Sequence, residues 1–113
     1  MVKKLEELIK YQSQLPDKLK VQITKSDDWG YAVKILNLPG CFTQVKNAGE
    51  LFIMVNDAVY TYFDIPEGII SSMPRYFPIE RIRKELQKWE KSIPTNLLGR
   101  PIVFTHSGVG VNS

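Results

Sequence analysis

The sequence predicts an α+β fold on three observations. Apolar residues alternate with polar ones over 19–23 and 31–35, the period of strands with one wet face. They recur instead at helical spacing over 2–14, 48–63 and 79–93. Pro16, Pro39, Gly40, Pro66 and Pro94 fall between these runs, where chain breaks belong.

Each element has its own justification. Over 2–14, Val2, Leu5, Leu8 and Ile9 share one stripe, Gln12 interrupts it, and Glu6 with Lys10 adds an i,i+4 pair. Pro16 and Asp17 turn the chain out of this helix. Leu19, Val21 and Ile23 mark a strand over 18–25. Ser26, Asp27 and Asp28 form a turn, and Tyr31, Val33 and Ile35 mark the returning strand over 29–35, completing a hairpin. A loop over 37–40 leads to a third strand over 41–45.

The helix over 48–63 carries Leu51, Val55, Ala58 and Tyr62 on its stripe, widened by Met54 and Val59. Asn47 reads as its N-cap, with Glu50 three residues on as the second half of a capping box. Residues 65–78 hold Pro66, Gly68, Ser71, Ser72, Pro74 and Pro78 and read as a connector. Pro78 suits the first turn of a helix over 79–93. There Ile79, Ile82, Leu86, Trp89 and Ile93 step by 3, 4, 3 and 4, a narrow seam suited to a groove or to a second copy of the chain. Residues 101–104 are strand-like, with their place in a sheet left open, and 105–113 read as a loose tail. The expected organisation is one domain over 1–113, with an N-terminal helix over 1–17, a core over 18–64, and the connector, basic helix and tail over 65–113.

Composition narrows the function. The 113 residues are 43% hydrophobic and 24% charged, which fits a folded domain. The longest apolar run, Leu51 to Val55, is far below the ~18 residues of a membrane span. Glu6 and Glu7 stand where a secretion signal would be apolar, so a cytoplasmic protein is expected. One cysteine and one histidine leave no internal disulfide and no Cys/His zinc site within the chain. The net charge of +3 is uneven: residues 75–113 hold 7 basic and 3 acidic side chains, whereas 1–74 hold 8 and 9. That basic end suits nucleic acid, an acidic surface, or simply a solvated helix face.

The order strand, strand, Leu-Pro-Gly-Cys loop, strand, helix carries a resemblance. Gly30 and Tyr31, then Leu38, Pro39, Gly40 and Cys41, then Thr43 and Gln44, with Glu50 and Ala58 on the helix, resemble the HicB family of type II antitoxins and its single-domain relatives. The family pattern departs at Val45, where it has glycine, and at Leu51, where it has alanine. The resemblance spans about 18–64. It implies a two-layer domain with a three-to-four-stranded, mainly antiparallel sheet and one helix packed across it. This is similar to a pared-down ribonuclease H fold without its catalytic carboxylates. It also implies a binding protein rather than an enzyme, one that covers the active face of a small HicA-type, mRNA-cleaving toxin. A homodimer is expected, and a standalone ligand- or RNA-binding module is the alternative.

No residue points to catalysis. Asp27 and Asp28 lie in a turn and Asp57 and Asp64 along a helix surface, not converging as two-metal chemistry needs. No cofactor is therefore expected. Cys41 has no local cation to lower its pKa and reads as a small buried hydrophobe. His106 reads as a tail residue, and Gly108-Val109-Gly110 lacks the rest of a phosphate-binding loop. Arg81, Lys84, Lys88 and Lys91 share one helix face that suits phosphate contact, but Glu80, Glu85 and Glu90 interleave with it, and an assembly helix is the favoured reading.

Overall fold

The computed structural model describes residues 2–27, 30–90 and 92–106, with side chains from Leu5 onward. Strands β1 (Lys18–Lys25), β2 (Tyr31–Ile35), β3 (Phe42–Val45), β4 (Tyr76–Pro78) and β5 (Pro101–His106) form one antiparallel sheet in the order β3-β2-β1-β5-β4. Helices α1 (Val2–Gln14), α2 (Ala48–Tyr62) and α3 (Glu80–Leu86) complete the fold, with a 3₁₀ turn over Glu67–Ser72. The α+β class predicted from the residue pattern is present, with five strands instead of three or four.

The extra strands come from segments whose sequence signals were weak. The run at 101–104 extends to His106 and becomes an interior strand, pairing with β1 on one side and β4 on the other. Its alternation is short but complete: Ile102 and Phe104 are buried opposite Val21 and Leu19. The expected connector is a core element too. Ile65, Ile69, Met73 and Tyr76 are all buried, at steps of four, four and three that the intervening prolines obscured.

One face of the sheet carries the core. Leu19, Val21 and Ile23 of β1, Tyr31, Val33 and Ile35 of β2, and Ile102 and Phe104 of β5 are buried against Leu51, Val55 and Val59 of α2. Tyr62, expected on that stripe, is 40% exposed, and Asn56 and Tyr60 are buried instead. The buried positions advance by four, from Leu51 to Val55 to Val59, which rotates the stripe away from Tyr62. The stripe of α1 is turned likewise: Leu5 and Ile9 are each 58% exposed, while Leu8 and Tyr11 pack on the core and Leu15 is buried.

The loops of the motif have specific jobs. Gly30 adopts φ +66°, and a Cβ there would collide with the Val45 carbonyl oxygen. The hairpin closes through the Ser26 N–H on the Gly30 carbonyl at 3.1 Å. Leu38 to Cys41 is a turn closed by the Cys41 N–H on the Leu38 carbonyl, with Pro39 and a positive-φ Gly40 at its centre, the arrangement of a type II turn. Asn37 continues the sheet past the end of β2: its side chain accepts from the Lys20 N–H at 2.9 Å and donates to the Lys18 carbonyl at 2.8 Å. The third strand starts at Phe42, one residue later than expected, because Cys41 closes the turn.

Candidate docking surface

The capping box opens α2 as the sequence predicts. Asn47 Oδ1 accepts from the Glu50 N–H at 2.9 Å, and Glu50 Oε1 accepts in return from the Lys46 N–H at 2.7 Å. Beside this helix start lies an apolar groove of about 360 Å³. Ala48, Gly49 and Phe52 of α2, Phe77 and Pro78 of β4, and Arg83 and Leu86 of α3 line it, with Phe104 at its floor. Phe52 and Phe77 stack at 4.8 Å between ring centroids. Arg83 makes no ion pair among the described residues and offers the groove one charged, directional donor set.

The groove exists because β4 is fixed beside α2 by polar contacts. Buried Asn56 accepts from the Tyr76 N–H at 2.7 Å and donates to the Tyr76 carbonyl at 3.0 Å, so one side chain satisfies both backbone groups of that residue. The Tyr60 hydroxyl donates to the Pro74 carbonyl at 2.7 Å, and the Tyr76 hydroxyl donates to the Pro16 carbonyl. Burial raises the pKa of both phenols above the ordinary 10.0. No sequence signal marked Asn56, because a lone asparagine on a helix face resembles any solvated one.

The seam predicted over 79–93 is divided by the fold. The helix stops at Leu86, and hydrogen bonds from the Lys88 and Trp89 N–H groups to the Glu85 and Leu86 carbonyls tighten the chain into turns. Leu86, Trp89 and Ile93 are buried in the chain's own core, and Ile79 and Ile82 are half-buried. Trp89 packs edge-on against Tyr31 at 4.9 Å, whose hydroxyl accepts from the Ile93 N–H at 3.2 Å. The seam is therefore largely an internal contact, with Trp89 and Ile93 packed inside the core and Leu86 at the wall of the groove. Its basic face is likewise partly neutralised. Lys84 lies 3.8 Å from Glu80 and Lys88 3.4 Å from Glu85, Arg81 is exposed, and Lys91 falls outside the described residues.

The remaining motif residues serve the scaffold. Gly30 and Gly40 set turns, and Tyr31 and Leu38 are buried. Pro39 is exposed in its turn. Thr43 is half-buried, the exposed Gln44 reaches Ser26 Oγ at 3.3 Å, and Ala58 presents its carbonyl to Cys41 Sγ at 3.6 Å. Cys41 is buried, and burial pushes its thiol pKa up, the opposite of a reactive cysteine. His106 is not a tail residue. It ends β5, packs edge-on to Tyr76 and lies 3.6 Å from Asp17. Among the described residues, no group of three His, Cys, Asp or Glu side chains is placed to hold a metal ion, and no helix is long and apolar enough to cross a membrane. Residues 108–110 lie outside the described part.

A five-stranded antiparallel sheet with helices packed on its core and an apolar groove at its β4 edge defines a small α+β domain. No protein-family model and no solved structure matches the chain. Curated relatives do match: a UPF0150 protein of Archaeoglobus fulgidus is 36% identical over 52 residues, covering 46% of this chain and 75% of the relative. Another, from Thermoplasma acidophilum, is 38% identical over 58 residues, covering 51% and 84%. The chain belongs to the UPF0150 family.

Proposed function

We propose that this chain is a HicB-like binding protein that neutralises a small HicA-type, RNA-cleaving toxin by covering its active face. The observation that carries the reading is the apolar groove between α2, β4 and α3, lined by two half-buried stacked aromatic rings and by an arginine that makes no ion pair among the described residues. Aromatic and arginine side chains around an apolar centre are the composition of protein-binding hot spots. The glycine-proline turns resembling those of the HicB family support it further. On this reading the chain is cytoplasmic, a single domain over 1–113 and a homodimer, and it carries no cofactor and performs no reaction.

The experiment is co-purification with the product of a short reading frame adjacent to its own. The expected result is a stable complex in which RNA cleavage by the partner stops. Phe52→Ala and Arg83→Glu together should weaken that complex by at least about thirtyfold, since each anchor contributes about 1–3 kcal/mol. A partner that still cleaves RNA at saturating concentrations of this chain would overturn the reading.

A further inference from the structure

We propose that the uncovered face of the sheet is a binding platform for single-stranded RNA. The side chains that alternate with the core residues of β1, β2 and β3 point to the other face, and there Lys18, Lys20 and Lys34 are exposed. None of the three is in an ion pair among the described residues. Phe42 is 70% exposed, the most exposed large hydrophobic side chain described. The register sets it directly across from Lys34, which in turn lies across from Gln22, so ring, ammonium and amide form one row over three strands. Neighbours in that row are ~4.8 Å apart, and Lys20 and Lys18 continue along β1 at ~7 Å steps.

The charge on this face has one sign. A solvated sheet face ordinarily mixes both signs. Here no strand position on the open face is Asp or Glu, although the chain has 12 acidic residues. Asp17, which precedes β1, lies 3.6 Å from the His106 ring, and Asp57 of α2 borders the cleft beside Phe42. On α3 the opposite holds, with Lys84 and Lys88 set against glutamates.

Unpaired cations along a strand suit a phosphate backbone, and an exposed ring beside them suits an unstacked base. A duplex offers no free base face to that ring, which favours a single strand. The choice of RNA rests on Gln22 and Gln44. Their amide N–H groups are held by the Gly99 carbonyl and Ser26 Oγ, leaving each carbonyl oxygen to accept from a ribose 2′-hydroxyl. This inference does not rest on toxin binding: the proposed toxin groove is lined by α2, α3 and the β4 edge, whereas Phe42, Lys34 and Lys20 lie on β3, β2 and β1.

The test is fluorescence anisotropy of the full chain with a labelled twelve-nucleotide oligouridine, at low and at moderate salt. Oligodeoxythymidine, a duplex RNA and polyglutamate serve as comparison ligands. The expected result is binding of the oligouridine that weakens with salt, exceeds that of the other three, and falls about tenfold in Phe42→Ala, the loss of one stacked base. Lys20→Glu with Lys34→Glu should abolish it at moderate salt, whereas Lys84→Glu on α3 should leave it unchanged. No binding at low salt overturns the proposal, as does equal binding of polyglutamate or an unchanged affinity in Phe42→Ala. Equal binding of oligodeoxythymidine overturns the assignment to RNA. All four substituted side chains are exposed, so the variants keep the fold.

Discussion

Residues 18–62 and residues 63–106 share one core but are tied into it differently. In the first region, β1, β2 and α2 each bury an apolar stripe on a regular period, β3 adds the buried Val45, and turns at Gly30 and Gly40 set their order. In the second, no element is longer than seven residues. Besides its buried apolar residues and the β5 pairing, single polar anchors tie it down: Asn56 on the Tyr76 backbone, Tyr60 on Pro74, Tyr31 on Ile93 and Gln22 on Gly99. A buried hydrogen bond that loses its partner leaves an unsatisfied group, a cost that comes on top of any loss of apolar packing. The second region should therefore be the more sensitive to small polar changes and no less sensitive to loss of its core.

The largest effect sharpens the second half of that contrast. Phe104→Ala should destabilise the chain by about 3–5 kcal/mol in urea unfolding, as much as any core truncation in the first region. A loss below about 1 kcal/mol would mean that β5 is an appendage and would break the comparison. Next comes Asn56→Ala, which removes the partner of two backbone groups and should cost about 2–4 kcal/mol. Amide exchange at Tyr76 should accelerate in the same variant. Gly30→Ala should cost about 2 kcal/mol or more, because positive-φ strain adds to the clash with the Val45 carbonyl, against about 1 kcal/mol for Gly40→Ala, where the added methyl meets nothing. Asn47→Ala, the loss of a helix cap in the first region, should cost about 1 kcal/mol, less than Asn56→Ala.

The smallest effect is on pH dependence. Burial raises the Tyr76 pKa above 10.0, with Tyr60 and Asp17 adding to the rise, and burial also raises Tyr60. Above pH 10 the unfolded chain gives up these protons while the folded chain keeps them, so stability is full below that pH and falls above it. Tyr60→Phe should flatten the alkaline fall in a pH series of unfolding midpoints. An unchanged slope would show that this phenol does not carry it.

The same division explains what the residue pattern revealed. The hairpin, the third strand, α2 and its capping box were legible because each is encoded by neighbours at short spacing. The strand β4 was not, because three residues between prolines carry no period and Tyr76 is held by Asn56, which lies on a helix twenty residues earlier. The length of α3 was overread for a related reason. Leu86, Trp89 and Ile93 keep helical spacing through two tight turns, since both conformations aim such residues at the same core. Of the apolar groove, Leu86 was legible as an apolar seam residue, but the pairing of Phe52 with Phe77 depends on where β4 lies. The open face was written plainly in the alternation of β1, yet only the strand register sets Phe42 beside Lys34.

The placement of β5 between β1 and β4 also governs how the chain is made. During synthesis β1, β2 and β3 can zip together early, but one flank of β1 stays bare until Pro101 to His106 leave the ribosome. A nascent chain stalled before that point displays a naked strand edge of Leu19, Val21 and Ile23, the kind of template that invites aggregation and recruits chaperones.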